Sequence, residues 1–315
     1  MLGLDIGGAN LKAATSAGAS RSVPFPLWKR PDDLAAALEY LLGDFPEERE
    51  LAVTMTGELC DCYASKSEGV QAILAAVAKA ANRRGLREPR VWTTAGRFVT
   101  LDAALAEPLP AAAANWLALA TYAGRLVPVG PALLIDIGST TTDIIAIKDG
   151  QPTPSSRTDQ GRLSSQELVY CGVRRTPLCA LFGIGRAAEF FATTEDAYVV
   201  LGDLPEAPHR TDSADGRPMT RAHALARLAR IECADVGDGS LGRRIAAEVR
   251  DMQVLRTALA VKHLAGNLSH GERTILGAGS GRFLIPRFLK QAGIEDLPLV
   301  YVEDSGSGSE AAYAV

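Results

Sequence analysis

Two short stretches carry the residues best suited to chemistry. Asp5-Ile6-Gly7-Gly8-Ala9-Asn10 and Asp136-Ile137-Gly138-Ser139-Thr140-Thr141-Thr142 each put a carboxylate near the end of an apolar run, then glycine, then small polar residues. A turn of this kind presents backbone N–H groups and hydroxyls, which suit phosphate oxygens because both donate and oriented amides carry partial positive charge. Gly7, Gly8, Asn10 and Lys12 are the phosphate-binding candidates of the first stretch. Gly138, Ser139, Thr140, Thr141 and Thr142 are those of the second. A carboxylate beside a phosphate is repulsive unless a cation intervenes, so Asp5 and Asp136 point to Mg2+ held mostly through water. Lys12 has two readings: it reaches phosphate, or it points outward from the second strand.

A second group of candidates follows the apolar run Leu51 to Met55. Glu58, Asp61, Lys66 and Glu68 crowd into the polar segment Thr56 to Gly69. Ligands of α/β sheets bind beyond the carboxyl ends of strands, which makes these four substrate-pocket candidates. The alternative is a solvated loop with Glu68 at a helix terminus. Cys60 and Cys62 lack the second pair that a zinc site requires and read as incidental thiols. Arg174-Arg175 beside Gly172 offers a planar fork to an anion, or is a basic surface pair. Gly277, Gly279 and Ser280 belong to a strand that runs into a glycine-rich turn, where a ligand can approach backbone closely. Asp203, Asp212 and Asp215 read as a solvated loop rather than a cation site. His209, His223, His263 and His270 show no metal spacing.

The elements that must position these groups are legible from periodicity. Each acidic turn sits between two β-branched or apolar strands, Met1 to Ile6 with Leu11 to Ala14, and Leu133 to Ile137 with Ile144 to Ile147. The recurrence of strand, Asp, Ile, Gly, polar turn, strand is an internal duplication. A third strand of the first half ends near Trp28. Pro31 to Leu42 reads as a helix with Leu34, Leu38, Leu41 and Leu42 on one face. Further helices are expected over Val70 to Arg84, Ala111 to Tyr122, Met219 to Glu232 and Ser240 to Leu268. Asn115 and Trp116 lie on the second of these, with Trp116 more at home in the core. Strands are expected at Val91 to Thr94, Thr274 to Leu276 and Leu299 to Val302, with a Gly/Ser loop over Glu303 to Ser309. Thr193 to Asp196 and Arg210 to Arg217 read as an insertion and lid.

The chain has 315 residues, about two domains' worth, and its 47% hydrophobic content supports sizeable cores. The division expected is 1–124 and 125–315. A net charge of −4 gives no basic footprint for nucleic acid. No apolar run reaches the length of a membrane span and no signal peptide is recognisable, so no membrane is expected. Five cysteines without framework spacing suit reduced thiols in a cytoplasmic setting. A homo-oligomer is left open.

The two acidic turns and the glycine-rich turn together resemble the acetate and sugar kinase, heat-shock chaperone and actin superfamily. That resemblance implies an α/β fold of two ribonuclease-H-like (actin-like ATPase) domains around a central phosphate-binding cleft. In more detail, DIGGANLKAA, TGELCDCYASKSEGV, LIDIGSTTTDI, ELVYCGVRRTPLCAL, TDSADGRP and GAGSG resemble hydantoinase/oxoprolinase-related proteins of tetrahydromethanopterin-linked one-carbon transfer. More narrowly, these segments resemble the synthases of methylofuran biosynthesis. The resemblance implies a transferase with small-molecule diphosphate and phenolic substrates. A phenol such as γ-glutamyl-tyramine or a tyrosine relative would displace diphosphate from an (aminomethyl)furan-methyl diphosphate, with Mg2+ near Asp5 and Asp136 and with Glu58 or Asp61 as the catalytic carboxylate that takes the phenolic proton or holds the substrate ammonium. An ATP-dependent small-molecule kinase on the same scaffold is the alternative, and a non-enzymatic ATP switch a third reading.

Overall fold

A computed structural model describes residues 1–269, 271–302 and 310–315, with Glu310 described by its backbone alone. His270 and the Gly/Ser loop expected over Glu303 to Ser309 lie outside the described residues. The chain divides into two compact units. One comprises 1–132, 147–161 and 301–315; the other comprises 133–146 and 162–300. A cut at 124/125 would assign 147–161 and the C-terminal helix to the second half.

The first unit begins with β1 (Leu2–Ile6), β2 (Asn10–Thr15) and β3 (Ser20–Pro24), an antiparallel meander. After α1 (Leu34–Gly43), β4 (Leu51–Met55) pairs parallel with β1. Then come α2 (Lys66–Arg83), β5 (Arg90–Trp92), β6 (Phe98–Thr100), α3 (Leu101–Ala106) and α4 (Asn115–Gly124). The sheet order is β3-β2-β1-β4-β5-β6. Leu2, Leu4 and Ile6 of β1 meet Leu34, Leu38, Leu41 and Leu42 of α1 and Val70, Ile73, Leu74 and Val77 of α2 in one core. Burying each such side chain contributes about 1.5–3 kcal/mol, so the leucine stripe read from the sequence does fix α1 against the sheet.

The second unit repeats the plan. Its β7 (Pro131–Ile137), β8 (Thr142–Lys148) and β9 (Gln151–Pro152) are followed by α5 (Asp159–Ser164) and β10 (Leu168–Val169). Helices α6 (Thr194–Leu201), α7 (Arg221–Arg230) and α8 (Ser240–Gly266) precede β11 (Thr274–Ala278), α9 (Ile285–Ala292) and β12 (Leu299–Tyr301). The order is β10-β8-β7-β11-β12, with β9 also on β8. The third strand is therefore in two pieces, β9 and β10, both antiparallel to β8 and separated in the chain by α5. Counted by role, both sheets run third, second, first, fourth, fifth, the ribonuclease-H-like order. The duplication seen in two hexapeptides extends through the topology of both units. The final helix, α10 (Glu310–Ala314), returns to the first unit, where Tyr313 meets Tyr122 of α4 edge-on at 5.2 Å.

Several expectations need correction. Helix α2 starts at Lys66 rather than Val70, because the Ser65 side chain caps it by accepting the Glu68 N–H. The alanine run does not form one helix from Ala111. A 3-10 turn covers Leu109–Ala111, Ala113 has φ +46°, and α4 begins only at Asn115, whose side chain accepts the Trp116 N–H at 2.8 Å. The strand at Val91 is half of a hairpin with β6, held by the Trp92–Phe98 ring contact at 5.0 Å. Thr193 to Asp196 are interior: Thr193 and Asp196 form a capping box at the start of α6, and Thr194, Glu195 and Asp196 are buried. None of the helices among the described residues is long and apolar enough to cross a membrane.

Candidate functional site

The first acidic turn is built by β1 and β2. Strand alternation sends Leu4 and Ile6 into the core and Asp5 to the opposite face. The tip closes through a Gly7 N–H to Asn10 carbonyl bond of 3.0 Å, leaving Gly7, Gly8 and Asn10 partly exposed. Lys12 stands opposite Asp5 in the hairpin register, with Nζ 3.7 Å from Asp5 Oδ2. The Lys12 side chain is 30% exposed and lies beside Asp5. Asp5 is 4% exposed and its Oδ1 has no hydrogen-bond partner. Burial pushes its pKa up, and Lys12 only partly offsets this. Thr54 faces Asp5 in the parallel register of β4, and its buried Oγ1 also lacks a partner. Thr54 was missed in the sequence, although a lone hydroxyl in the strand Leu51-Ala52-Val53-Thr54-Met55 is a detectable signal.

Beyond β4 the chain hooks onto the end of β1: Thr56 and Gly57 both donate their N–H to the Ile6 carbonyl, at 2.9 and 3.0 Å. This brings Glu58 inward. It is 1% exposed, Oε2 has no hydrogen-bond partner, and Oε1 lies 3.7 Å from Lys66 Nζ. Burial pushes its pKa up to about 7 against the lowering influence of backbone hydrogen bonds and Lys66. Lys66 is the first residue of α2 and binds Asp159 Oδ2 at 2.5 Å. Asp159, at the start of α5, is 93 residues away in the chain, and no local pattern marks it. Ala113, with its positive φ, supplies a further backbone hydrogen bond to Glu58. A non-glycine residue in that region is uncommon, and it sits here beside the most perturbed carboxylate of the segment.

The other members of the polar segment do not join this group. Asp61 is exposed. Glu68 is exposed and accepts the Ala64 N–H at 3.0 Å, so it caps α2, as the alternative reading had it. Cys60 lies against Gly8, and Cys62 approaches the Leu27 carbonyl at 3.8 Å. A hollow of about 330 Å³ occurs at the other end of the sheet, among Met1, Leu51, Arg90 and Phe98, and holds none of these residues.

The second acidic turn is the more tightly backed. Gly138 N–H bonds to the Thr141 carbonyl at 2.8 Å, and Ser139, Thr140 and Thr141 are partly exposed. Thr142 is not: its buried hydroxyl donates to the Cys171 carbonyl at 2.8 Å, so it serves packing rather than a ligand. The Ser139 carbonyl accepts the N–H groups of Arg174 and Arg175, at 3.0 and 2.9 Å. Gly172 presses on the turn so closely that a methyl group there would lie 2.5 Å from Ser139 C and Thr140 N. The Gly172 carbonyl is held by Thr194 Oγ1 at 2.9 Å and Gln253 Nε2 at 3.2 Å, and Gln253 is held by Tyr198 at 2.6 Å. Gly279, at φ +83°, approaches Asp136 so closely that a methyl group there would stand 2.3 Å from Oδ1. The glycine-rich turn thus backs Asp136, with Gly277 buried in β11 and Ser280 exposed.

Arg174 and Arg210 both pair with the buried Glu195, so the Arg174 guanidinium is engaged there. Arg175 is exposed. Asp196 pairs with the fully buried Arg227; burial raises its pKa and Arg227 opposes that. Asp215 binds Arg227 and Arg230, each at 2.9 Å. Against the upward push of burial, hydrogen bonds led by that from Arg230 hold its carboxyl below the ordinary range. Asp196, Asp212 and Asp215 are thus partners of arginines. Among the described residues no three His, Cys, Asp or Glu side chains converge as metal ligands.

Three comparisons bear on these features. The hydantoinase/oxoprolinase family pattern matches residues 49–315. The "(4-{4-[2-(gamma-L-glutamylamino)ethyl]phenoxymethyl}furan-2-yl)methanamine synthase" of Methanocaldococcus jannaschii is 36% identical over 247 residues, covering 75% of this chain and 72% of the relative. The enzyme of that name from Methanococcus vannielii is 30% identical over 167 residues, 50% of this chain and 75% of the relative. Among solved structures, nucleotide-free acetone carboxylase superposes with a TM-score of 0.53 at 15% identity, over 97% of this chain and 51% of that one. That last likeness concerns the fold alone.

Proposed function

The chain belongs to the hydantoinase/oxoprolinase family, and from that premise we propose that it is a synthase of methylofuran biosynthesis that joins a phenol to a furanylmethyl diphosphate. The similarity to two synthases named for a phenoxymethyl-furan product supports the substrate class. The observation that carries the reading is Glu58. It is a buried carboxylate with one unpartnered oxygen and a pKa of about 7, beyond the carboxyl end of a central strand. Such a group accepts a proton at neutral pH without being locked as a permanent ion.

The phenol oxygen forms a bond to the furanyl CH2 while the C–O bond to diphosphate breaks. The phenolic proton passes to Glu58 Oε2, and the bonding electrons of the broken bond leave with diphosphate. The furan oxygen stabilises positive charge at the CH2 as that bond lengthens. In one unit the N–H groups of Gly7 and Gly8 and the Lys12 ammonium, and in the other the N–H groups and hydroxyls of Gly138, Ser139, Thr140 and Thr141, are each a set of donors suited to phosphate oxygens. Mg2+ fits the buried, unpartnered Asp5 Oδ1, and Asp136 is the equivalent residue of the second turn. Held chiefly by water and substrate oxygens, the ion would screen the charge of the leaving diphosphate.

The test is direct. Purified protein is mixed with (aminomethyl)furan-methyl diphosphate, γ-glutamyl-tyramine and Mg2+, and pyrophosphate and the aryl ether are measured by mass spectrometry. Equimolar pyrophosphate and ether are expected. Absence of ether, with ATP-dependent phosphorylation of a small alcohol instead, overturns the proposal.

A further inference from the structure

Lys66 lies between two carboxylates and favours one. Its Nζ is 2.5 Å from Asp159 Oδ2, a charge-assisted hydrogen bond, and 3.7 Å from Glu58 Oε1, beyond hydrogen-bond reach. The preferred partner is the more exposed of the two, at 22% against 1%. By electrostatics alone the ammonium gains more from the buried carboxylate, where screening is weaker. Asp159 therefore holds the cation beyond hydrogen-bond reach of Glu58 Oε1, and Oε2, the other oxygen of the same carboxylate, has no hydrogen-bond partner.

We propose that Asp159 is a positioning residue: by holding the Lys66 ammonium, it keeps Glu58 free of a close ion pair and so able to accept a proton. The inference rests on the reading of Glu58 as the proton acceptor. The surroundings of Glu58 on each side are accounted for. Lys66 faces it from α2, Asp159 from α5, and the segment before α4 offers only the Ala113 backbone. Gly69 of α2 lies against its main chain. In Asp159→Asn two effects act in one direction: a nearby negative charge is lost, and Lys66 is released to close on Glu58 Oε1. Both favour the charged form of Glu58. In Lys66→Met the nearest cation is lost and the neutral form is favoured.

The experiment is a carbon-13 NMR titration of the Glu58 carboxyl in the full-length protein labelled at glutamate, with Glu58→Gln to assign the resonance. Relative to wild type, Asp159→Asn should titrate about one pH unit lower and Lys66→Met about one unit higher. Asp159→Glu, which keeps the charge, should restore the wild-type value. The acid limb of kcat/KM for ether formation should move with each titration. A purely structural role would alter stability without opposite shifts. Unmoved titrations, or shifts of the same sign in both variants, overturn the inference. Should Asp159→Asn fail to fold, Asp159→Ala, which also removes the charge, should titrate lower in the same way, against the upward shift of Lys66→Met and the unchanged value of Asp159→Glu. Opposite titration shifts in a protein that makes no ether would sink the proposed reaction and leave the positioning role standing.

Discussion

Gly172→Ala probes the packing behind the second acidic turn. A methyl group at Gly172 would stand 2.5 Å from Ser139 C and Thr140 N and 2.6 Å from the Gly138 carbonyl oxygen. Ordinary contact begins at 3.4 Å, so the shortfall is about 0.9 Å, and every atom it meets is backbone. Rotamer changes cannot relieve it; either the turn or the Cys171–Thr176 segment must move. That segment is tied from behind by Thr194, Gln253 and Tyr198, whereas Ser139, Thr140 and Thr141 are partly exposed and have room to move outward, so the turn gives way. Overpacking of this kind costs about 1–3 kcal/mol, which for a unit of this size lowers the melting temperature by about 2–12 °C. A displacement near an ångström at groups that position a substrate costs on the order of 10²-fold in rate. The assays are thermal unfolding, pyrophosphate binding by calorimetry, and turnover. The control is Gly183→Ala, where an added methyl group meets nothing within 4 Å. A Gly172→Ala protein that melts, binds pyrophosphate and turns over like wild type would refute the claim that this peptide supports a ligand-binding turn.

Other outcomes follow from the same structure. Glu58→Gln should reduce turnover by roughly 10²–10⁴-fold, and wild-type kcat/KM should rise with pH through about 7 as Glu58 loses its proton. The same residue has a signed effect on stability. Its folded pKa of about 7 lies above the unassociated value of 4.5, so the folded state binds the extra proton and stability falls as pH rises through that window. Glu58→Gln removes that loss, on the order of 3 kcal/mol, and its melting temperature should vary less than wild type between those pH values. Thr142→Val leaves the Cys171 carbonyl unpaired and should destabilise by about 1–3 kcal/mol with pyrophosphate affinity retained. Ser139→Ala with Thr140→Ala should do the reverse, weakening affinity at unchanged stability by calorimetry. Asp5→Ala and Asp136→Ala should each abolish turnover with native circular dichroism; near-normal activity in either removes that aspartate from the reaction.

The sequence alone determined the features that depend on neighbours in the chain. The duplicated turn was legible because a hairpin is a local structure: Gly7 bonds to Asn10 and Gly138 to Thr141, three residues on. Once both halves were seen to share that hairpin, the superfamily resemblance carried the expectation of two ribonuclease-H-like domains, which the topology of both units bears out. The leucine stripe of α1 and the length of α8 were readable for the same reason, since helix periodicity is written in nearest neighbours.

Tertiary structure decided which polar groups are buried together. Glu58, Asp61 and Glu68 are chemically alike and almost adjacent, yet only Glu58 is turned inward, because Thr56 and Gly57 bond to the end of β1. Thr142 follows three exposed-turn residues and is indistinguishable from them in sequence, but strand alternation places it under Cys171. Asp159 and Ala113 reach Glu58 from distant segments that carry no motif. A pKa is set by desolvation and by charges a few ångströms away, and neither has a period in the sequence. The two acidic turns were therefore a local property of this chain, while the burial of Glu58 and the groups that surround it were a property of the fold.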